Sequence, residues 1–135
     1  MRFDQLMSSH SVGLFFAFFA AGIFLWVLFN YVYLWLTPYD EYADIKAGKM
    51  APAIALVGAE VGFMLPLASA SYVSNGSLYA FAAWGVLAGA VQLGAFKLMY
   101  WCYPASIEAD NRAVATVFAG ASVCIGLLNA VSMIP

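Results

Sequence analysis

Ala51-Pro-Ala-Ile-Ala-Leu-Val-Gly-Ala-Glu60-Val-Gly-Phe-Met-Leu-Pro66-Leu-Ala-Ser-Ala-Ser-Tyr72 is the stretch whose reading decides the fold. At 1.5 Å of rise per residue, an apolar helix of this length crosses a hydrocarbon core roughly 30 Å thick. Ala51, Ala55, Gly58 and Gly62 recur on one side of it, the small-xxx-small spacing that lets membrane helices approach closely. At 100° per residue Glu60 falls on the opposite side, alongside Ala53, Leu56, Val57, Met64 and Leu67. A carboxylate at that depth needs a reason, because an uncompensated charge inside the bilayer costs at least about 2.5 kcal/mol.

The rest of the chain agrees with a membrane setting. Hydrophobic residues make up 65% of it and charged residues 9%, against roughly a quarter charged in a soluble domain. Its 135 residues leave room for about four spans of ~20 residues with short connections, and for little else. The expected spans are 13–36, 51–73, 78–103 and 113–133. The first is too long for the core of a cleaved secretory signal, and no small-residue cleavage pattern follows it. It is rich in phenylalanine, read as lipid-facing bulk, and ends in Tyr31, Tyr33 and Trp35; the third ends in Tyr100, Trp101 and Tyr103. Both endings suit the headgroup level.

Between the first two spans, Thr37-Pro38 reads as the start of a short surface helix carrying Asp40, Glu41, Asp44 and Lys46. The three acids match no calcium loop and are expected to be solvated. Lys46, Lys49 and Arg112, with Lys97 close by, lie on one side of the membrane, and Arg2 on the other. By the positive-inside rule both termini are then outside the cytoplasm, with the surface helix inside. Cys102 and Cys124 lie in different segments and are expected to be free thiols, Cys124 as a small packing residue.

No constellation supports an enzyme. No histidine is placed to activate a serine or cysteine, no ligand spacing suits a metal, no glycine loop cradles phosphate, and no span holds two carboxylates. No cofactor is expected. A net charge of -2 without a basic cluster argues against nucleic acid. Chemistry is therefore left to the intramembrane polar residues Glu60, Gln92, Lys97 and Asn129, with Asn30 near an interface. Glu60 lies roughly 13 Å inside the cytoplasmic end of its span and Lys97 roughly 9 Å inside the same face. Three readings stay open: Glu60 pairs with Lys97; Lys97 snorkels to the headgroups while neutral Glu60 bonds a group such as Gln92; or Glu60 lines a path for a cation or proton.

Sliding the chain by 62 residues lays Ala51, Ala53, Gly58, Ala59, Val61, Leu65 and Ala68 on Ala113, Ala115, Gly120, Ala121, Val123, Leu127 and Ala130. The unit is a hairpin of two spans, and an even number of crossings makes the two copies parallel. Gly58, Gly62 and Gly120 are accordingly read as helix-packing positions. Two uncovered faces on the second span predict a homo-oligomer.

The Thr37-Pro38 exit, Gly58 and Gly62 leading into Leu65-Pro66-Leu67-Ala68-Ser69-Ala70, and Gly120 with Leu128-Asn129-Ala130 resemble the domain of unknown function 350 family, the YjfL-like small bacterial inner-membrane proteins. The resemblance covers nearly the whole chain after the first dozen residues. It implies an all-α, four-span bundle of two repeated hairpins in the inner membrane, in a family without a settled activity or catalytic residues. Neighbouring genes in such a family often encode membrane-stress proteins of the phage-shock type and ATP-grasp ligases. Glu60 does not look like part of the shared pattern. The expected function is thus a non-enzymatic component of an envelope or stress-response assembly, acting through oligomer formation and partner binding at its cytoplasmic surface helix, with the lipid bilayer and a membrane-stress protein as partners. The alternative is a small channel or transporter for a cation or proton.

Overall fold

A computed structural model describes residues 2–135. Its elements are α1 (Phe3–Leu6), α2 (Ser9–Leu36), α3 (Glu41–Lys46), α4 (Met50–Val73), α5 (Leu78–Cys102) and α6 (Arg112–Ser132), with no strand among the described residues. Four of them, α2, α4, α5 and α6, are long and apolar enough to cross a membrane. The chain is an all-α integral membrane bundle.

Local chemistry sets where the helices begin. Ser8 accepts from the Ser11 amide, so α2 starts ahead of the apolar run, and Ser77 and Asn111 cap α5 and α6 in the same way. Asn75 and Gly76 take positive φ values of 51° and 82°, making the tight turn between α4 and α5. The start of α4 is different. Its cap residue, Lys49, offers no side-chain bond, and the amide of Ala51 donates instead to Asp110 Oδ1 at 2.8 Å, from the connection between α5 and α6. A carboxylate suits the positive end of a helix, and this one fastens two connections at one end of the bundle.

The helix α4 is at the centre, and α6 is its closest neighbour. The two run parallel, tied at one end by Asp110 and near the other by Ser69 Oγ, which donates to the Ala130 carbonyl at 2.7 Å. Between these ties the small face of α4 meets backbone: a Cβ at Gly58 would land on Ala119, and one at Gly62 on the Ser122 carbonyl. From the other side, a Cβ at Gly126 would strike the Gly62 carbonyl. Pro66, four residues on, has no amide hydrogen to give that carbonyl, so nothing in the α4 ladder holds it away from α6. The opposite pair, α2 and α5, is also parallel, joined by Phe18 on Phe81, Tyr33 on Phe96 and Lys97 Nζ to the Leu36 carbonyl. Phe29 and Phe63 stack with centroids 4.5 Å apart, and bare Gly89 leaves room for Phe63.

Three expectations change here. Gly120 is exposed, with open space where a Cβ would stand, because it lies about 100° around α6 from Ala119; Gly126 makes the close approach instead. Cys124 is also exposed on the outside of the bundle rather than packed within it. The small face of α4, finally, is covered within the chain by α6, so it is not the surface that calls for a second subunit.

Gly126→Ala is therefore expected to destabilise the bundle by about 1–3 kcal/mol, since its methyl must displace backbone, whereas Gly120→Ala stays within about 0.5 kcal/mol of the parent. Unfolding in mixed micelles at increasing denaturing-detergent fraction measures both; equal effects would refute the assignment of the interface.

A candidate polar site at the α3 end of the bundle

The helix α2 is apolar along most of its length, yet Asn30, Tyr33 and Thr37 stand on one stripe of it at i, i+3 and i+7. Tyr33 is completely buried and Thr37 nearly so. The stripe faces inward and rises about 10 Å along the helix toward α3. At its inner end is Glu60 of α4, half-buried, with Asn30 as its side-chain neighbour. At its outer end is Glu41, the first residue of α3, only 1% exposed. Tyr33 lies between these two levels of the stripe, with Tyr39 as the side-chain neighbour of its hydroxyl.

Glu41 is held by Thr37, whose hydroxyl also lies 3.2 Å from the Leu34 carbonyl. One hydroxyl proton cannot serve two acceptors. When Glu41 carries a proton it donates to Thr37, and Thr37 donates to Leu34, so every group is satisfied. Burial pushes the Glu41 carboxyl above its ordinary value of 4.5. The Thr37 bond and Glu41's own amide pull it down, and Asp40 and Asp44 push it up. Burial also raises Tyr39, with the Glu41 charge adding to it. The hydroxyls of Tyr33 and Tyr39 are both buried without a well-formed hydrogen bond. Alongside, Tyr100 donates to Glu108, its ring 6.2 Å from that of Tyr39.

The burial of Glu41 corrects the expectation of three solvated acids. Asp40 rather than Thr37 caps α3, accepting from Ala43 N at 3.1 Å, while Asp44 pairs with Lys49 at 3.3 Å. Thr37, displaced from the cap, turns inward to Glu41. Among the described residues no group of three potential ligands could hold a metal ion.

The intramembrane residues separate into two kinds. Gln92 and Asn129 tie helices together: Gln92 Nε2 donates to the Ser122 carbonyl at 3.1 Å and Asn129 Nδ2 to the Ala88 carbonyl at 3.2 Å. Gln92 reaches α6 only because Gly62 is bare, since a Cβ there would stand 2.7 Å from its Nε2. Neither meets Glu60. Of the three readings, the Glu60–Lys97 pair is absent among the described residues, because Lys97 Nζ donates to the Leu36 carbonyl at 3.0 Å and lies over the Tyr100 ring. A free C-terminal carbonyl of α2, near the membrane surface, is a better partner for an ammonium than a carboxylate deeper in the bilayer. Sequence reasoning missed Tyr33, Thr37, Tyr39 and Glu41. The spacing of Asn30, Tyr33 and Thr37 within an apolar helix was the available signal.

Fold and site together define a class: a four-span helical membrane protein whose helices are tied by intramembrane amide and hydroxyl groups and whose connections carry a buried carboxyl at one rim. The profile of the family described as Domain of Unknown Function (DUF350) matches residues 6–133, and the chain belongs to that family. It is 31% identical over 120 residues to the UPF0719 inner membrane protein YjfL of Escherichia coli (strain K12), covering 87% of this chain and 90% of that one. The protein of the same name from Escherichia coli O157:H7 matches equally. No solved structure gives a significant match.

Because Glu41 is raised by burial, the docking of α3 is strongest below pH 4.5 and weakens as pH rises through the folded-state value. Amide hydrogen exchange in α3 should accordingly speed up with pH beyond its intrinsic dependence, and Glu41→Gln should abolish the excess. An unchanged excess in that variant would show that another group controls the docking.

Proposed function

We propose that the chain is a non-enzymatic component of the bacterial inner membrane that works as a homo-oligomer within an envelope or stress-response assembly. Both termini lie in the periplasm, and the partner, a membrane-stress protein, docks on the cytoplasmic rim. The observation that carries this reading is the construction of that rim. Glu41 on Thr37, Glu108 on Tyr100 and Asp110 on the Ala51 amide hold α3 and the 103–111 connection to the bundle. A surface fixed in this way, with Tyr42 exposed, loses little entropy when a partner binds. The inner-membrane location agrees with the name of the relatives, and the basic residues Lys46, Lys49 and Arg112 at the rim agree with a cytoplasmic side.

A photo-crosslinking amino acid at Tyr42 in growing cells is expected to give a discrete protein adduct that Lys46→Glu diminishes. The purified protein in lipid nanodiscs is expected to have the mass of more than one chain. Adducts to lipid alone, or a single chain per nanodisc, would count against the partner and the oligomer respectively.

A second reading, a path for a proton or small cation, draws on one observation: Glu60 has Asn30 rather than a cation beside it. In proteoliposomes this reading expects a flux that Glu60→Gln reduces at least about tenfold. A flux insensitive to Glu60→Gln would remove Glu60 from any such path.

A further inference from the structure

We propose that the seam between α2 and α4 is the contact between two copies of this chain, in which Glu60 meets the partner's Glu60 about an axis normal to the membrane. The inference rests on the homo-oligomer reading above and names its face.

Two independent observations fall on this seam. The first is polar. Glu60 stands ten residues from the start of α4, about 15 Å along it and near the middle of the span. Its side chain is only half-buried, and Val57, Val61 and Met64, its neighbours on the outer side of the helix, are exposed. The basic residues are engaged elsewhere: Lys97 by the Leu36 carbonyl, Lys49 by Asp44 and Arg112 beside Asp110. Among the described residues none forms an ion pair with Glu60. Asn30, one turn from Trp26 on α2, already gives an amide proton to the Trp26 carbonyl at 2.9 Å. A carboxyl has more hydrogen-bonding positions than the remaining Asn30 proton can fill. Hydrocarbon fills none of them, so a second protein surface has to.

The second observation is one of shape. Phe29 stacks on Phe63 and holds α2 against α4 near the level of Glu60; beyond it the helices part, and Phe18 rests on Phe81 of α5 instead. The gap is an open apolar groove of about 650 Å³, beginning at Met64 and Trp26, one turn from Glu60 and from Asn30. A groove between two helices receives the side-chain ridge of a third. The exposed Phe16 and Phe24 of α2 lie at the depth of this groove, so a second copy carries such a ridge.

Symmetry selects the occupant. Copies of a membrane protein insert with one orientation, so the axis relating them is normal to the bilayer and equivalent residues share a depth. A second copy therefore brings a carboxyl and an amide to the level where Glu60 lacks partners. A carboxylic acid both donates and accepts, so two of them satisfy each other. Gln92 and Ser122, at a similar depth, are buried between α4, α5 and α6 and offer nothing outward. The contact is thus isologous, seam against seam.

The test is disulfide cross-linking of the full chain in cell membranes with copper phenanthroline, in a background of Cys102→Ser and Cys124→Ala, both exposed positions. At least one of Val57→Cys, Val61→Cys and Met64→Cys is expected to give a product of twice the chain mass. Val117→Cys and Leu127→Cys, exposed on the outside of α6, are expected to give none. Glu60→Leu should weaken self-association in lipid about tenfold, as loss of an interhelical hydrogen bond does, while Glu60→Gln, which still donates and accepts, stays within about threefold of the parent. A seam product of another mass would put a different protein there and overturn the inference, as would wild-type association of Glu60→Leu. Products from the α6 positions alone would overturn this face and leave the oligomer standing. Single chains in nanodiscs with no product at any position would sink both.

Discussion

The bundle depends on the close approach of α4 and α6 at Gly62 and Gly126. In lipid no hydrophobic force draws helices together, so their association relies on packing and on hydrogen bonds made once the backbones are near. Here the two conditions are met at one place. Gly126 lies against the Gly62 carbonyl, Pro66 leaves that carbonyl without its usual partner in the helix, and bare Gly62 lets Gln92 of α5 reach the Ser122 carbonyl of α6. Three helices are thereby fixed by two glycines, a proline and an amide. The small residues on α4 serve the interior of a single chain.

The rim follows from that arrangement. With α4 and α6 parallel and in close contact, the start of α4 and the connection leading into α6 come to the same level, where Asp110 supplies the cap that Lys49 lacks. The other parallel pair, α2 and α5, brings Tyr39 near Tyr100 and leaves Lys97 beneath the last carbonyls of α2. Glu41 is buried where α3 folds back across these ends, and Thr37 receives it. A carboxylate that looks like part of a charged surface turn becomes the fastening of a helix.

Much of the architecture is legible in residue order. Four apolar runs of spanning length, their aromatic ends and the Gly58–Gly62 spacing identify a multi-span helical bundle, because each is a local consequence of the bilayer acting as solvent. The site is legible only in part. Glu60 stands out by its cost, but its neighbour does not: depth along the membrane brings Lys97 near it, whereas rotation about the helix axis sends Lys97 to Leu36 and turns Glu60 toward Asn30. Gly120 shows the same limit, since the overlay of the two halves gives its position along α6 while Gly126 has the rotation that meets Gly62.

What residue order determined by itself is therefore the solvent of this protein, the number of its spans, its family and the presence of one costly carboxylate. These depend on hydropathy and spacing within single helices. Tertiary structure alone decided which acid is buried, which glycines touch and which polar groups stand beside Glu60 and Glu41. Those outcomes depend on the azimuth of each helix and on how far one slides past another, and both are set by contacts between segments about sixty residues apart.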